Sequence, residues 1–121
     1  MSDLNELVQD YIAIWNETDP AARRARIDAL WTEDCAYIDP MAEARGRDQL
    51  DATIGAVQAQ FPGFVFKLGG DVDAHHEQAR FTWELGPEGG EALVVGFDVA
   101  IFDGGRIRTV YGFLDKVPAG A

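Results

Sequence analysis

The stretch Glu91–Asp115 constrains this chain more than any other. Two runs rich in β-branched and aromatic residues flank Asp103-Gly104-Gly105, and Asp and Gly supply the positive φ angles that a tight hairpin turn needs. Ala92 to Phe102 is apolar on both faces, the pattern of a strand covered from two sides. One charge interrupts it, at Asp98. Aspartate is depleted in strands and costly to bury unpaired. Desolvation disfavours its charged form, so a carboxyl held there tends to keep its proton. A neutral buried acid can donate a hydrogen bond to negative charge developing on a ligand oxygen. The alternative is an Asp98 that caps a bulge, pairs with an arginine or faces water. Gly96, two residues earlier, suits a bulge.

Upstream of this hairpin the period changes from two to nearly four. Leu4, Leu7, Val8, Tyr11, Ile12 and Trp15 form the stripe of an amphipathic helix capped by Ser2 or Asp3. Asp19-Pro20 starts a second helix, with Ala22, Ile27, Leu30 and Trp31 on its apolar face and Thr32-Glu33-Asp34 closing it. Cys35 to Pro40 is a short extended piece, and Met41 to Gly46 reads as a loop. Asp48 to Phe61 is a third helix, stopped by Pro62-Gly63. Phe64–Leu68 and Ala79–Leu85 read as strands, the second alternating cleanly, and Val72–His76 is the faintest of the strands. Helices first and strands after them predict an α+β fold, with three N-terminal helices on one face of a curved, mostly antiparallel sheet of four to six strands.

The chain's 121 residues suffice for one core and not for two, so residues 1–117 are expected to form a single domain with 118–121 as a flexible tail. A net charge of −11 disfavours nucleic acid and anionic membranes as partners, since phosphate contacts need clustered Lys and Arg. Only Arg23, Arg24 and Arg26 cluster, and acids surround them. No apolar run reaches membrane-spanning length and no signal pattern opens the chain, which predicts a soluble cytoplasmic protein. Cys35 is the single cysteine, so no intramolecular disulfide forms, and its apolar context suits a buried small hydrophobe. His75 and His76, if both lie on a strand, point to opposite faces and suit a solvated turn better than a metal. No metal and no cofactor is expected.

Two further groups stand beside Asp98. Asp39 precedes a proline between helix and sheet, where it either satisfies local backbone N–H groups or serves as a general base. Tyr11 lies in the first helix's apolar stripe, where core packing is the ordinary role. Taken together, Tyr11-Ile12-Ala13-Ile14-Trp15-Asn16, Leu30-Trp31-Thr32-Glu33-Asp34 followed by Tyr37-Ile38-Asp39-Pro40, and Gly96-Phe97-Asp98-Val99 resemble segments of the nuclear transport factor two-like superfamily. The likeness is to its ketosteroid isomerases and SnoaL-like polyketide cyclases. It extends over nearly the whole chain, including the ending Gly105-Arg106-Ile107 to Tyr111-Gly112-Phe113. It implies a cone-shaped, barrel-like fold. It also implies Asp39 as general base, with Tyr11 and Asp98 binding an oxyanion, an arrangement already described for ketosteroid isomerase.

That chemistry removes a proton next to a carbonyl and stabilises the enolate with two donors. Trp15, Trp31, Met41, Phe81 and Trp83 could wall an apolar pocket for a flat, carbonyl-containing ligand, with plain core packing as the alternative for each. Two functions follow as expectations. One is a cofactor-free isomerase, cyclase or dehydratase. The other is a non-catalytic hydrophobic-ligand-binding or dimerisation module of the same fold. Either would form a homodimer, because Leu93, Val95, Phe97, Val99 and Ile101 give the hairpin a second apolar face that the helices cannot cover.

Overall fold

The computed structural model describes residues 3–118. Helix α1 (Leu4–Asn16) is capped by Asp3, whose carboxylate accepts the Glu6 N–H at 2.8 Å. Ser2, the other candidate cap, lies outside the described residues. Helix α2 (Pro20–Leu30) begins as its Asp-Pro pair dictates, with Asp19 accepting the Ala22 N–H at 2.9 Å. Helix α3 spans Gly46–Gln60. The helices pack on one another and against the sheet, α1 on β3 (Phe64–Leu68), and α2 and α3 on β1 (Trp31–Ile38).

Strand β1 departs from expectation. Thr32-Glu33-Asp34 does not close α2 but belongs to β1, and Trp31 is its first residue rather than part of the helix face. These polar residues are exposed or half-buried, so hydropathy gave no strand period there. The supposed loop after Asp39 also holds a strand, β2 (Glu43–Arg45), antiparallel to the end of β1. Strand β4 (Asp73–His75) pairs with β5 (Gln78–Pro87), and β6 (Val94–Asp103) pairs with β7 (Arg106–Lys116). Among the described residues the sheet has seven strands, one more than the upper expectation, in the order β2-β1-β7-β6-β5-β3, with β4 beside β5. It is open, with β2 and β3 at its ends. Pairing is antiparallel except for β1 with β7, which run parallel.

The hairpin turn is as its residues require. Asp103 pairs with Arg106, and both intervening glycines have positive φ, 59° and 82°. Along β6 the period is two: Val94, Gly96, Asp98, Ala100 and Phe102 are buried, and Val95, Phe97, Val99 and Ile101 alternate with them, half-covered. The register between β6 and β7 shifts at Val95/Gly96, where the glycine suggested a bulge. Cys35 is buried, and burial pushes its thiol up. Arg23, Arg24 and Arg26 are each spent on acids, Arg23 on Asp51 at 2.6 Å.

His76 is not on a strand. It sits in the β4–β5 turn at a φ of +54°, which swings its ring toward His75 until the two Nδ1 atoms are 3.0 Å apart. Both rings are exposed, and His76 shares the turn with Glu77, the solvated turn that was expected. No group of three or more metal-ligating side chains occurs among the described residues. No helix among them is long and apolar enough to cross a membrane.

Candidate functional site

Tyr11, Asp39 and Asp98 border one cavity of about 370 Å³. Three elements deliver them. Tyr11 projects from the buried stripe of α1, Asp98 from the inner face of β6, and Asp39 from the chain just beyond β1. Strand β7 brings the two carboxyls together. Asp98 pairs across β6–β7 with Gly112. On the other edge of β7, Ile38 pairs with Tyr111, so the next residue, Asp39, falls beside Gly112 as well. A Cβ on Gly112 would stand 2.9 Å from Asp98 Oδ1, 3.1 Å from Asp39 Cβ and 3.6 Å from the Tyr37 hydroxyl. The bare backbone of Gly112 is thus the floor between the acids.

Asp98 is 1 % exposed. The Tyr11 hydroxyl donates to its Oδ2 at 2.8 Å, while Oδ1 is buried without a partner. Burial pushes the Asp98 carboxyl up to about 7, over the opposing pull of the Tyr11 hydroxyl and the Trp83 indole, and the nearby Asp39 charge adds to the rise. Burial, with Asp98 next to it, also lifts the Tyr11 phenol well above its usual range. The pair therefore carries protons where free carboxyl groups do not.

Asp39 is half-buried and braces the turn that follows it. Its Oδ1 accepts the N–H groups of Met41 and Ala42, both at 2.8 Å, and its own N–H donates to the Ala42 carbonyl at 2.9 Å. Its Oδ2 accepts the Tyr37 hydroxyl at 2.6 Å. The local backbone role and the place on the cavity wall are thus combined in one side chain. Tyr37 is the residue that sequence reasoning passed over. Burial raises its phenol well above the usual range, with Asp98 and Asp39 adding to it. The signal was available: two residues before Asp39 on a strand means the same face.

The walls are aromatic and aliphatic. Trp15, Trp83 and Met41 line the cavity as expected, Met41 from its rim at 82 % exposure. Trp31 and Phe81 do not. Both are core, packed against the Tyr11 ring at 5.9 and 5.7 Å between centroids, because strand pairing turns them inward beneath α1. In their place stand Phe66, Phe61 and Leu85, with Val117 and Pro118 contributing from the end of the described chain. The rings of Tyr37, Trp15, Phe66 and Trp83 follow one another at 5.3 to 5.5 Å. Two amides fix this wall. Asn16 exchanges two hydrogen bonds with the Phe66 backbone, and Gln58 donates to the Trp15 and Glu17 carbonyls. Gly96 completes the wall, since a Cβ there would lie 2.0 Å from the Trp83 indole.

The chain is similar in structure to a candidate isomerase of the SnoaL-like family from Agrobacterium tumefaciens, 38% identical over 91% of this chain and 95% of that one, with a TM-score of 0.87. It shares its fold at lower identity with two others. One is a candidate ketosteroid isomerase from Kribbella flavida (19%, covering 96% and 80%, TM-score 0.70). The other is a candidate SnoaL-like polyketide cyclase from Jannaschia sp. CCS1 (15%, covering 92% and 86%, TM-score 0.71). No curated protein matches the chain. The SnoaL-like domain itself matches residues 8–110, and on that extent the chain belongs to the SnoaL-like family.

Proposed function

We propose that this protein is a cofactor-free, cytoplasmic enzyme that moves a proton next to a carbonyl group, an isomerase or cyclase in type. One observation carries the reading: a carboxyl 1 % exposed, with one oxygen unpartnered, borders an apolar cavity that a second carboxyl also borders. In this reading Asp39 accepts the proton on the carbon beside the carbonyl. The C–H electron pair becomes a C=C bond and the carbonyl pair moves onto oxygen. Asp98, in its acid form, donates a hydrogen bond to that oxygen. Asp39 then returns the proton to the same carbon or to another along the conjugated system.

Solvent-deuterium exchange beside the carbonyl of small cyclic enones tests this whatever the product of the full reaction is. Wild-type protein should catalyse exchange, and Asp39→Asn should lower the rate by roughly 10²–10⁴ with the fold intact by circular dichroism. Exchange that survives the substitution would remove Asp39 from the role of base.

A second reading has its own support. Three donors already occupy Asp39, as suits a brace for the loop in a protein that binds a hydrophobic molecule without turning it over. Under either reading we propose a homodimer through the outer sheet face.

A further inference from the structure

The cavity is one-sided in charge. Asp39 and Asp98 border it, and among the described residues no Lys, Arg or His does. Neither carboxyl belongs to an ion pair among those residues. Asp39 is met by the Tyr37 hydroxyl and the N–H groups of Met41 and Ala42, and Asp98 by the Tyr11 hydroxyl, all of them neutral donors. Neutral donors solvate a carboxylate without cancelling its charge, so the site repels an anion and has a counter-charge to offer a cation. The rest of the wall is largely aromatic. Tyr37, Trp15, Phe66 and Trp83 follow one another along the cavity with their planes inclined by 53° to 61°. Rings inclined in this way stand like the sides of a box, whereas stacked rings would face only each other. Each ring carries partial negative charge on its faces, and a dry box of such faces attracts a cation clad in hydrocarbon. A metal ion or a bare ammonium would exchange strong hydration for carbon walls, a loss that a fully alkylated ammonium is largely spared. Around the whole molecule, a net charge of −11 raises the local concentration of cations.

We infer that the cavity is a binding site for an organic cation, a quaternary ammonium whose alkyl groups pack on the Tyr37, Trp15, Phe66 and Trp83 rings while Asp39 and Asp98 supply its counter-charge. This goes beyond the acid/base reading and stands without it, because binding needs no turnover. The site is also tuned by pH. The titratable groups around Asp98 are Tyr11 on α1, Tyr37 on β1 and Asp39 just beyond it. Burial holds both phenols well above their usual range, so they add no charge near neutral pH. Asp98 takes on its charge as pH rises through about 7. A cation beside it favours that charged form, so affinity for the cation rises with pH through the same window.

The test compares phenyltrimethylammonium with tert-butylbenzene, which has the same shape and no charge. On the alkaline side of 7, wild-type protein should bind the cation roughly ten-fold or more tighter than its neutral twin. That margin should shrink several-fold on the acid side, where Asp98 is protonated. In Asp98→Asn the margin should no longer change across 7. The N-methyl proton resonances should move upfield on binding to the wild type, because protons over aromatic faces are shielded, a readout that needs no variant. Equal affinities for the two probes overturn the cation site. So does a preference for the cation with unmoved methyl resonances, which puts the ion on the acidic exterior. A wild-type margin indifferent to pH removes Asp98 from the site. None of these outcomes bears on Asp39 as a base, which the exchange rate of Asp39→Asn decides.

Discussion

Burial lifts the Asp98 carboxyl to about 7, and little around it pulls the other way. Among the described residues no cation lines its cavity, and the Tyr11 phenol donates to it at 2.8 Å. The thermodynamic consequence has a definite sign. A carboxyl that rises from 3.8 in the unfolded chain to about 7 in the folded one binds its proton more tightly when folded. Folding is therefore favoured by low pH, and stability falls as pH climbs between those two values, by ~4 kcal/mol in all. Asparagine is nearly isosteric, accepts the Tyr11 hydroxyl and never ionises. Asp98→Asn should therefore gain on the wild type as pH rises from acid to alkaline, with most of the change below and around 7. Thermal melts of both proteins across that range measure it. A difference that stays constant with pH would mean that Asp98 ionises normally. The same property limits the chemistry: an Asp98 that donates to a ligand oxygen stops doing so above about 7.

At the level of elements, two strand glycines shape the site, Gly96 under the Trp83 indole and Gly112 between the carboxyls. Gly96→Ala places a Cβ 2.0 Å from the indole. The ring must leave the cavity wall or the bulge must open, at a cost of ~1–3 kcal/mol. Urea unfolding should show that loss together with weaker ligand binding; unchanged stability would mean that Trp83 moves freely. The elements themselves were partly readable in advance. The α1 stripe and the β6–β7 hairpin were, because each announces itself by period and by turn residues within a short window. Strand β1 was readable only from Cys35 on, since Thr32, Glu33 and Asp34 look like a helix end and its partner lies some seventy residues downstream. The role of Gly112 is hidden in the sequence for a related reason: it depends on which strands flank the glycine, and only the β1–β7 pairing reveals that. Asp39 and Asp98 could be named from the residues around them, whereas Trp31 and Phe81 were misplaced because core and cavity wall have the same composition.

For the whole molecule, the outer face of the sheet is the unfinished surface. Phe97 pairs with Phe113 and Val99 with Tyr111, and Tyr111 and Phe113 are 46 % and 56 % exposed. With Val95 and Ile101 they make a continuous apolar band on a chain that otherwise carries a net charge of −11. Size-exclusion with light scattering should give the mass of a dimer, and Phe113→Glu should shift it to a monomer while the cavity, on the opposite face, keeps its ligand. A wild-type monomer would refute the dimer.

The lone parallel pairing, β1 with β7, also has a consequence for how the protein comes into being. During synthesis α1, α2, β1 and α3 emerge early, yet β1 has only β2 as a strand neighbour until β7 arrives. Long-range closure of that kind is slow and comes late. A nascent chain on the ribosome thus carries both acids while having no chamber for them to share. The strand that sets Gly112 between the two carboxyls is thus the last long one to be made.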